Sequence, residues 1–217
     1  MPCTGYHLGV NARVYCKLLL ILLVGFVAIH ICFNLYNYQV AETEWLIHQL
    51  FELDEENNLP TWFSSFLLLN NAFFLYLIAR EKKDKFRFHW LILAFGFLVL
   101  SIDEVAGVHE SFNTAVDINW AIPAGIVVML VGLAYIPFLL SLPRRLAILF
   151  IVSGVLFVGG AIGVELLSED MDDEAMPYGF ATALEEGMEM LGAWLFLFVI
   201  INDMKQEQRI DIGVSIG

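Results

Sequence analysis

The sequence predicts an all-α fold: a polytopic membrane helix bundle with six transmembrane spans and both termini cytoplasmic. Three observations predict it. Hydrophobic residues make up 59% of the 217 positions and the mean hydropathy is +0.72, well above a soluble domain of this length. Several apolar runs reach about 20 residues, the length that crosses about 30 Å of hydrocarbon. With six spans, all 11 Lys and Arg fall on one side of the membrane.

Taken in order, span 1 covers about 17–36 ("KLLLILLVGFVAIHICFNLY"). Its apolar run is long and no small-x-small cleavage site follows, so it reads as an uncleaved anchor rather than a signal peptide. Segment 40–61 carries Leu46, Leu50 and Leu53 at helical spacing and reads as a short amphipathic helix at the outer interface. Span 2 covers about 62–79 and follows Pro60; span 3 covers about 89–109. Span 4 covers about 119–141, span 5 about 146–167, and span 6 about 181–201 after an acidic loop that ends in Pro177. Trp62, Trp90 and Trp120 stand near span starts, where interfacial aromatics collect. The whole chain, 1–217, reads as one integral membrane domain.

The basic residues set the orientation. They are Arg13 and Lys17, then five between Arg80 and Arg87, then Arg144 and Arg145, then Lys205 and Arg209. By the positive-inside rule this side is cytoplasmic, and the expected location is the plasma (inner) membrane. Of the 24 acids, only Glu81, Asp84, Asp203, Glu207 and Asp211 share that side; the other 19 are outside or in the outer half of a span. A net charge of -13 without a basic groove argues against nucleic acid as a partner. Cys3, Cys16 and Cys32 show no CxxC spacing, so neither a disulfide framework nor a thiolate metal site is indicated.

Two motifs break the apolar pattern. "LSIDEVAGVHE" (100–110) puts Asp103, Glu104, His109 and Glu110 at the outer end of span 3. "EEGME" (185–189) puts Glu185, Glu186 and Glu189 in span 6. At 1.5 Å per residue, Asp103 and Glu104 lie roughly 8–10 Å deep and Glu189 about 12 Å deep. Glu165 of span 5 is near the same rim, and Asn70 and Asn71 of span 2 lie at a similar depth. On one continuous helix at 100° per residue, Asp103, His109 and Glu110 share an arc, as do Glu185, Glu186 and Glu189.

These acids need a counter-charge. An ionised carboxylate at mid-span costs about 2.5–3.5 kcal/mol on insertion scales. No Lys or Arg lies in the outer half, which leaves shared protons or a bound cation. Carboxylates with imidazole suit Fe, Mn or Zn, and oxygen-only sets suit Ca. Asp103, His109, Glu110, Glu165, Glu185 and Glu189 are therefore the candidate metal ligands. Glu104 and Glu186 are the candidate general bases, and Asn70, Asn71 and His48 are supporting polar groups. The Glu-x-x-His spacing of carboxylate-bridged di-iron bundles is absent.

Plainer readings stand beside these. Span 3 could end before the acids, and acids in the first turns of span 6 could serve the helix dipole. Asn70 and Asn71 could tie helices together, and His30 could be a satisfied packing residue. The run Asp54-Glu55-Glu56 reads as solvated loop, and the Gly159 and Gly163 pair as a close helix contact.

Three function classes remain. The inner halves of the spans carry no ionisable group except Tyr76 and Tyr135, which favours a one-sided pocket open to lipid and to the outside. That suits a metal-dependent membrane enzyme, a hydrolase or oxidoreductase, acting on a lipid-soluble or interfacial substrate. The alternatives are a cation or proton transporter or channel subunit, completed in a homo-oligomer, and a non-catalytic membrane interaction protein. No nucleophile elbow, zincin motif or phosphate loop is present to name a reaction.

Overall fold

The computed structural model describes residues 11–116, 118–172 and 175–206, without the side chains of Glu110, Thr114, Lys205 and Gln206. The described residues fold as helices. These are α1 (Ala12–Gln39), α2 (Trp45–Phe51), α3 (Leu59–Glu81), α4 (Arg87–Ala106), α5 (Val108–Val116), α6 (Ala121–Ser141) and α7 (Arg144–Val158). A π segment (Gly159–Val164) leads into α8 (Glu165–Ser168), and α9 (Met176–Gln206) closes the bundle. Five runs are long and apolar enough to cross a membrane: α1, α3, α4, α6 and Arg144–Ser168. The helix α9 is longer still, 31 residues, and carries the "EEGME" acids.

Local chemistry sets the helix ends. The Asn11 side chain accepts from the Arg13 and Val14 amides and caps α1. Asn58 caps α3 by accepting from the Thr61 amide, with Pro60 in the first turn. Gly107 ends α4 in the left-handed region, at φ +57°, a conformation open to glycine at little cost. Pro143 separates α6 from α7.

Side-chain contacts fix the directions. Ser65 of α3 meets Ser101 of α4, and His89 of α4 meets Tyr135 and Phe138 of α6, so each pair is antiparallel. The Trp194 indole donates to the Cys16 carbonyl while His30 meets Gly179, which sets α9 antiparallel to α1. The helix α9 packs on α1, α3 and α7 and is the centre of the bundle. Its Met190, Leu197 and Ile200 are fully enclosed together with Leu67 and Leu75 of α3. The helix α6 lies at the edge, with most of its large apolar side chains exposed. Two ends result. The acids gather at one, and the α3–α4 and α6–α7 connections, with their Lys and Arg, form the other.

Three expectations change. Span 3 does not run unbroken from 89 to 109: the helix stops at Ala106, and His109 belongs to α5. The shared arc of Asp103, His109 and Glu110 on one helix is therefore wrong, because the left-handed turn at Gly107 resets the direction of the chain. Helix α2 is shorter than the 40–61 pattern, and Leu53 lies beyond it, buried, while Leu46 and Leu50 are exposed. Of the expected Gly159 and Gly163 pair, an added Cβ at Gly159 would meet only the flexible end of Met188, at 2.9 Å, and one at Gly163 nothing within 4 Å; the close backbone approach is made by Gly160 and Gly192. A Cβ at Gly192 would lie 2.6 Å from the Phe157 amide nitrogen.

Candidate functional site: the acidic end of the bundle

The acidic end is assembled from α4, α5, α8, α9 and the α2–α3 connection. In the last turn of α4, Asp103 Oδ2 stands 2.8 Å from His109 Nδ1, reaching across the Gly107 turn. Both side chains are 27% exposed. The His109 ring lies against Trp120, 5.0 Å between centroids, so the imidazole is held on two sides. Glu104, one residue on, is half-buried and hydrogen-bonds Ser64 of α3.

The acids of α9 face this group. Glu186 and Glu189 each interact electrostatically with Glu104, and Glu189 also with Asp103 and Glu165. Glu185 interacts with Glu165, with Asp54 and with His109. All three are half-buried. The Glu165 carboxylate accepts from the Asn119 amide at 3.2 Å. The π segment explains why Glu189 can sit so close to α7. An added Cβ at Gly160 would lie 2.6 Å from the Glu185 carbonyl and 2.9 Å from Glu189 Cγ, so only glycine lets α9 approach. Wide turns of this kind concentrate at functional sites.

The acids of α4 and α9 thus stand in one another's fields. Around the α4 and α9 carboxylates the charged neighbours are other carboxylates and His109; no Lys or Arg is among them. Among the described residues, however, no three His, Cys, Asp or Glu side chains stand in an arrangement that could hold a metal ion. The expected ligands Asp103, His109, Glu165, Glu185 and Glu189 share a field without forming a coordination shell. The Glu110 side chain lies outside the described residues.

The supporting polar groups belong elsewhere. Asn71 is fully buried and donates to the Ala193 and Leu67 carbonyls, at 2.9 and 3.1 Å, tying α3 to α9. Asn70 accepts from the Tyr15 hydroxyl at 2.7 Å and ties α3 to α1. His48 pairs with Glu52 at 2.9 Å, one helical turn along, rather than with the cluster.

The α2–α3 connection is more than a solvated loop. Asp54 is exposed, yet it accepts from the Tyr178 hydroxyl at 3.1 Å. The Glu56 carboxylate packs on Gly107, in the space a Cβ would need. Glu52 reaches His30, and the Leu53 amide also faces that ring, at 3.3 Å. Glu56 carried no signal of this in the sequence, because nothing in a run of three acids distinguishes the one that turns inward.

A family model described as Domain of unknown function (DUF8692) matches residues 18–202. No curated protein and no solved structure matches the chain.

Proposed function

Since the chain belongs to the DUF8692 family, we propose a function from its own geometry: a single-domain integral membrane protein whose outer half holds a one-sided chamber for protons and cations. In this reading α9 is the sixth span. Both termini are cytoplasmic, because that orientation puts all 11 Lys and Arg inside the plasma membrane. Helix α2, with Trp45, Leu46, Ile47 and Leu50 exposed, lies on the outer interface.

One observation carries the reading. Glu104, Glu186 and Glu189 stand in each other's fields with no Lys or Arg among their charged neighbours. Such carboxylates keep their place in a membrane only by sharing protons or by holding a cation. The apolar inner halves of the helices close the chamber on the cytoplasmic side.

A second reading is a metal-dependent hydrolase or oxidoreductase acting on a lipid-soluble substrate. It draws on the Asp103–His109 pair, since a carboxylate that orients an imidazole is the usual support of a metal ligand. Fe, Mn, Zn or Ca would be the ion, with Glu104 and Glu186 as bases.

The test uses the purified protein in detergent. Thermal midpoint and bound metal are followed against pH and against Na⁺, Ca²⁺, Mn²⁺, Fe²⁺ and Zn²⁺. The chamber predicts a midpoint that rises with protons or a cation and loses that response in Glu186→Gln/Glu189→Gln. Stoichiometric metal lost in Asp103→Ala and Glu189→Ala would select the enzyme reading. A midpoint indifferent to every cation and to pH between about 5 and 8 would reject the chamber.

A further inference from the structure

The opposite end of the bundle carries a different kind of site. There the α3–α4 connection meets the α6–α7 connection around an open depression of about 350 Å³. Lys82, Asp84 and Lys85 line it together with Trp90 and Phe138, both buried. Leu142 and Pro143 also line it. Directly after Pro143 the surface continues as a shallow, open patch lined by Arg144, Arg145, Ile148 and Leu149. The two depressions adjoin at the Pro143–Arg144 bond, so two lysines and two arginines stand on neighbouring surface, with apolar side chains of α7 beside the arginines.

Basic residues outnumber acids at this corner among the described residues. Between 80 and 87 five basic residues stand against Glu81 and Asp84, and Arg144 and Arg145 add to the excess. Asp84 is committed to the backbone, accepting from the Phe86 amide at 2.8 Å. Among the described residues no Lys or Arg of this corner forms an ion pair; the ion pairs present lie at the acidic end. Lys85 is held over the Phe86 ring, its Nζ 4.9 Å from the centroid. One further polar atom is buried beside the depression. His89 Nδ1 has no hydrogen-bond partner among the described residues, and its ring stacks on Phe138.

We propose that this corner binds the headgroup of an anionic phospholipid, with the phosphate between Lys82, Lys85, Arg144 and Arg145 and an acyl chain along Ile148 and Leu149. Positive charge alone would suit any anion. The apolar side chains beside the arginines, on a membrane-length helix, select a lipid over a soluble phosphate. The volume suits a headgroup-sized ligand, since small-molecule sites span about 300–1,000 Å³. Basic pockets between spans are recurrent lipid sites, and each basic residue near an anionic surface is worth roughly fivefold in binding. The proposal uses none of the carboxylates of the acidic end. It shares with the proposed chamber only the premise that α3, α4, α6 and α7 cross a bilayer.

The test is native mass spectrometry of the full chain, released from micelles that contain phosphatidylglycerol or phosphatidylcholine of matched acyl chains. The expected result is selective retention of phosphatidylglycerol, reduced at least tenfold in the variant Lys82→Gln/Lys85→Gln/Arg144→Gln/Arg145→Gln. The matching Lys→Arg variant should keep the lipid, and circular dichroism should show both variants helical. As a positional control, Arg13→Gln/Lys17→Gln should leave retention unchanged. Equal retention of the two lipids would overturn the proposal, as would full retention by the four-Gln variant or equal loss in the positional control. Displacement of the lipid by millimolar inorganic phosphate would overturn its assignment to a lipid. Glu186→Gln/Glu189→Gln should bind phosphatidylglycerol like the parent, which separates this site from the chamber.

Discussion

His30 of α1 and Glu52 of the α2–α3 connection meet with Nδ1 2.8 Å from Oε1, the histidine 1% and the glutamate 16% exposed. The other ring nitrogen, Nε2, stands 2.8 Å from the Gly179 carbonyl of α9. A carbonyl can only accept, so Nε2 carries a proton, and the Glu52 carboxylate likewise only accepts, so Nδ1 carries a second and the ring is an imidazolium. One buried imidazole therefore joins α1, the α2–α3 connection and the start of α9. It is this joint that brings Asp54 and Glu56 over the acidic end.

The joint predicts a pH-dependent contribution from Glu52. Burial alone would raise its pKa; the His30 hydrogen bond and charge, with the charge of His48, outweigh that and hold the carboxyl below the ordinary glutamate value. A carboxyl with a depressed folded pKa stabilises the protein above its unfolded value, and the contribution is lost as pH falls through the folded value. Glu52→Gln should thus cost about 1.5–3 kcal/mol near neutrality. In paired thermal melts the gap between parent and variant should close as the pH drops below about 4.5. A gap that stays constant, or widens, on acidification would contradict the assignment.

Gly107 should not tolerate a side chain. At φ +57° an L-residue costs about 1–2 kcal/mol, and the added Cβ would also displace the Glu56 carboxylate. Gly107→Ala should lower the thermal midpoint, and Glu56→Ala in the same chain should recover only the part due to the clash. Full recovery would show that the backbone conformation carries no cost.

The α7–α9 contact separates glycines that look alike in sequence. At Gly192 a Cβ meets backbone, Phe157 N at 2.6 Å and Ser153 O at 2.8 Å, and backbone cannot step aside. Overpacking of this kind costs typically about 1–3 kcal/mol, so Gly192→Ala should be clearly destabilised. Gly163→Ala, with open space around it, should match or slightly exceed the parent. Equal melting of the two variants would refute the close approach.

Asn71 should prove structural rather than chemical. Replacing it with Leu removes the bond to the Ala193 carbonyl, and interhelical bonds of this kind are worth about 0.6–2 kcal/mol. Stability should fall by that order while the cation response proposed for the Glu104, Glu186 and Glu189 chamber persists. Loss of cation binding at unchanged stability would return Asn71 to the site.

The sequence by itself determined the helical class and the concentration of acids at one end, and it read six spans where five helices are long and apolar enough to cross a membrane. These follow from composition, run length and the placement of Lys and Arg, which are local or additive properties. It also brought the "DE" of α4 and the "EEGME" of α9 to one depth, because helical rise converts residue count into distance. Which side chains pair was not legible, since pairing depends on what lies across the bundle. The wheel placed Asp103, His109 and Glu110 on one arc, but a left-handed glycine breaks the helix between them, and His109 meets Asp103 from a new element. Asn70 and Asn71 are adjacent, yet Asn70 faces Tyr15 and Asn71 faces Ala193, because neighbours on a helix point about 100° apart. Glu56 turned inward because the backbone at Gly107 left room for a carboxylate. The sequence determined how much charge the acidic end must hold; only packing decided which atoms hold it.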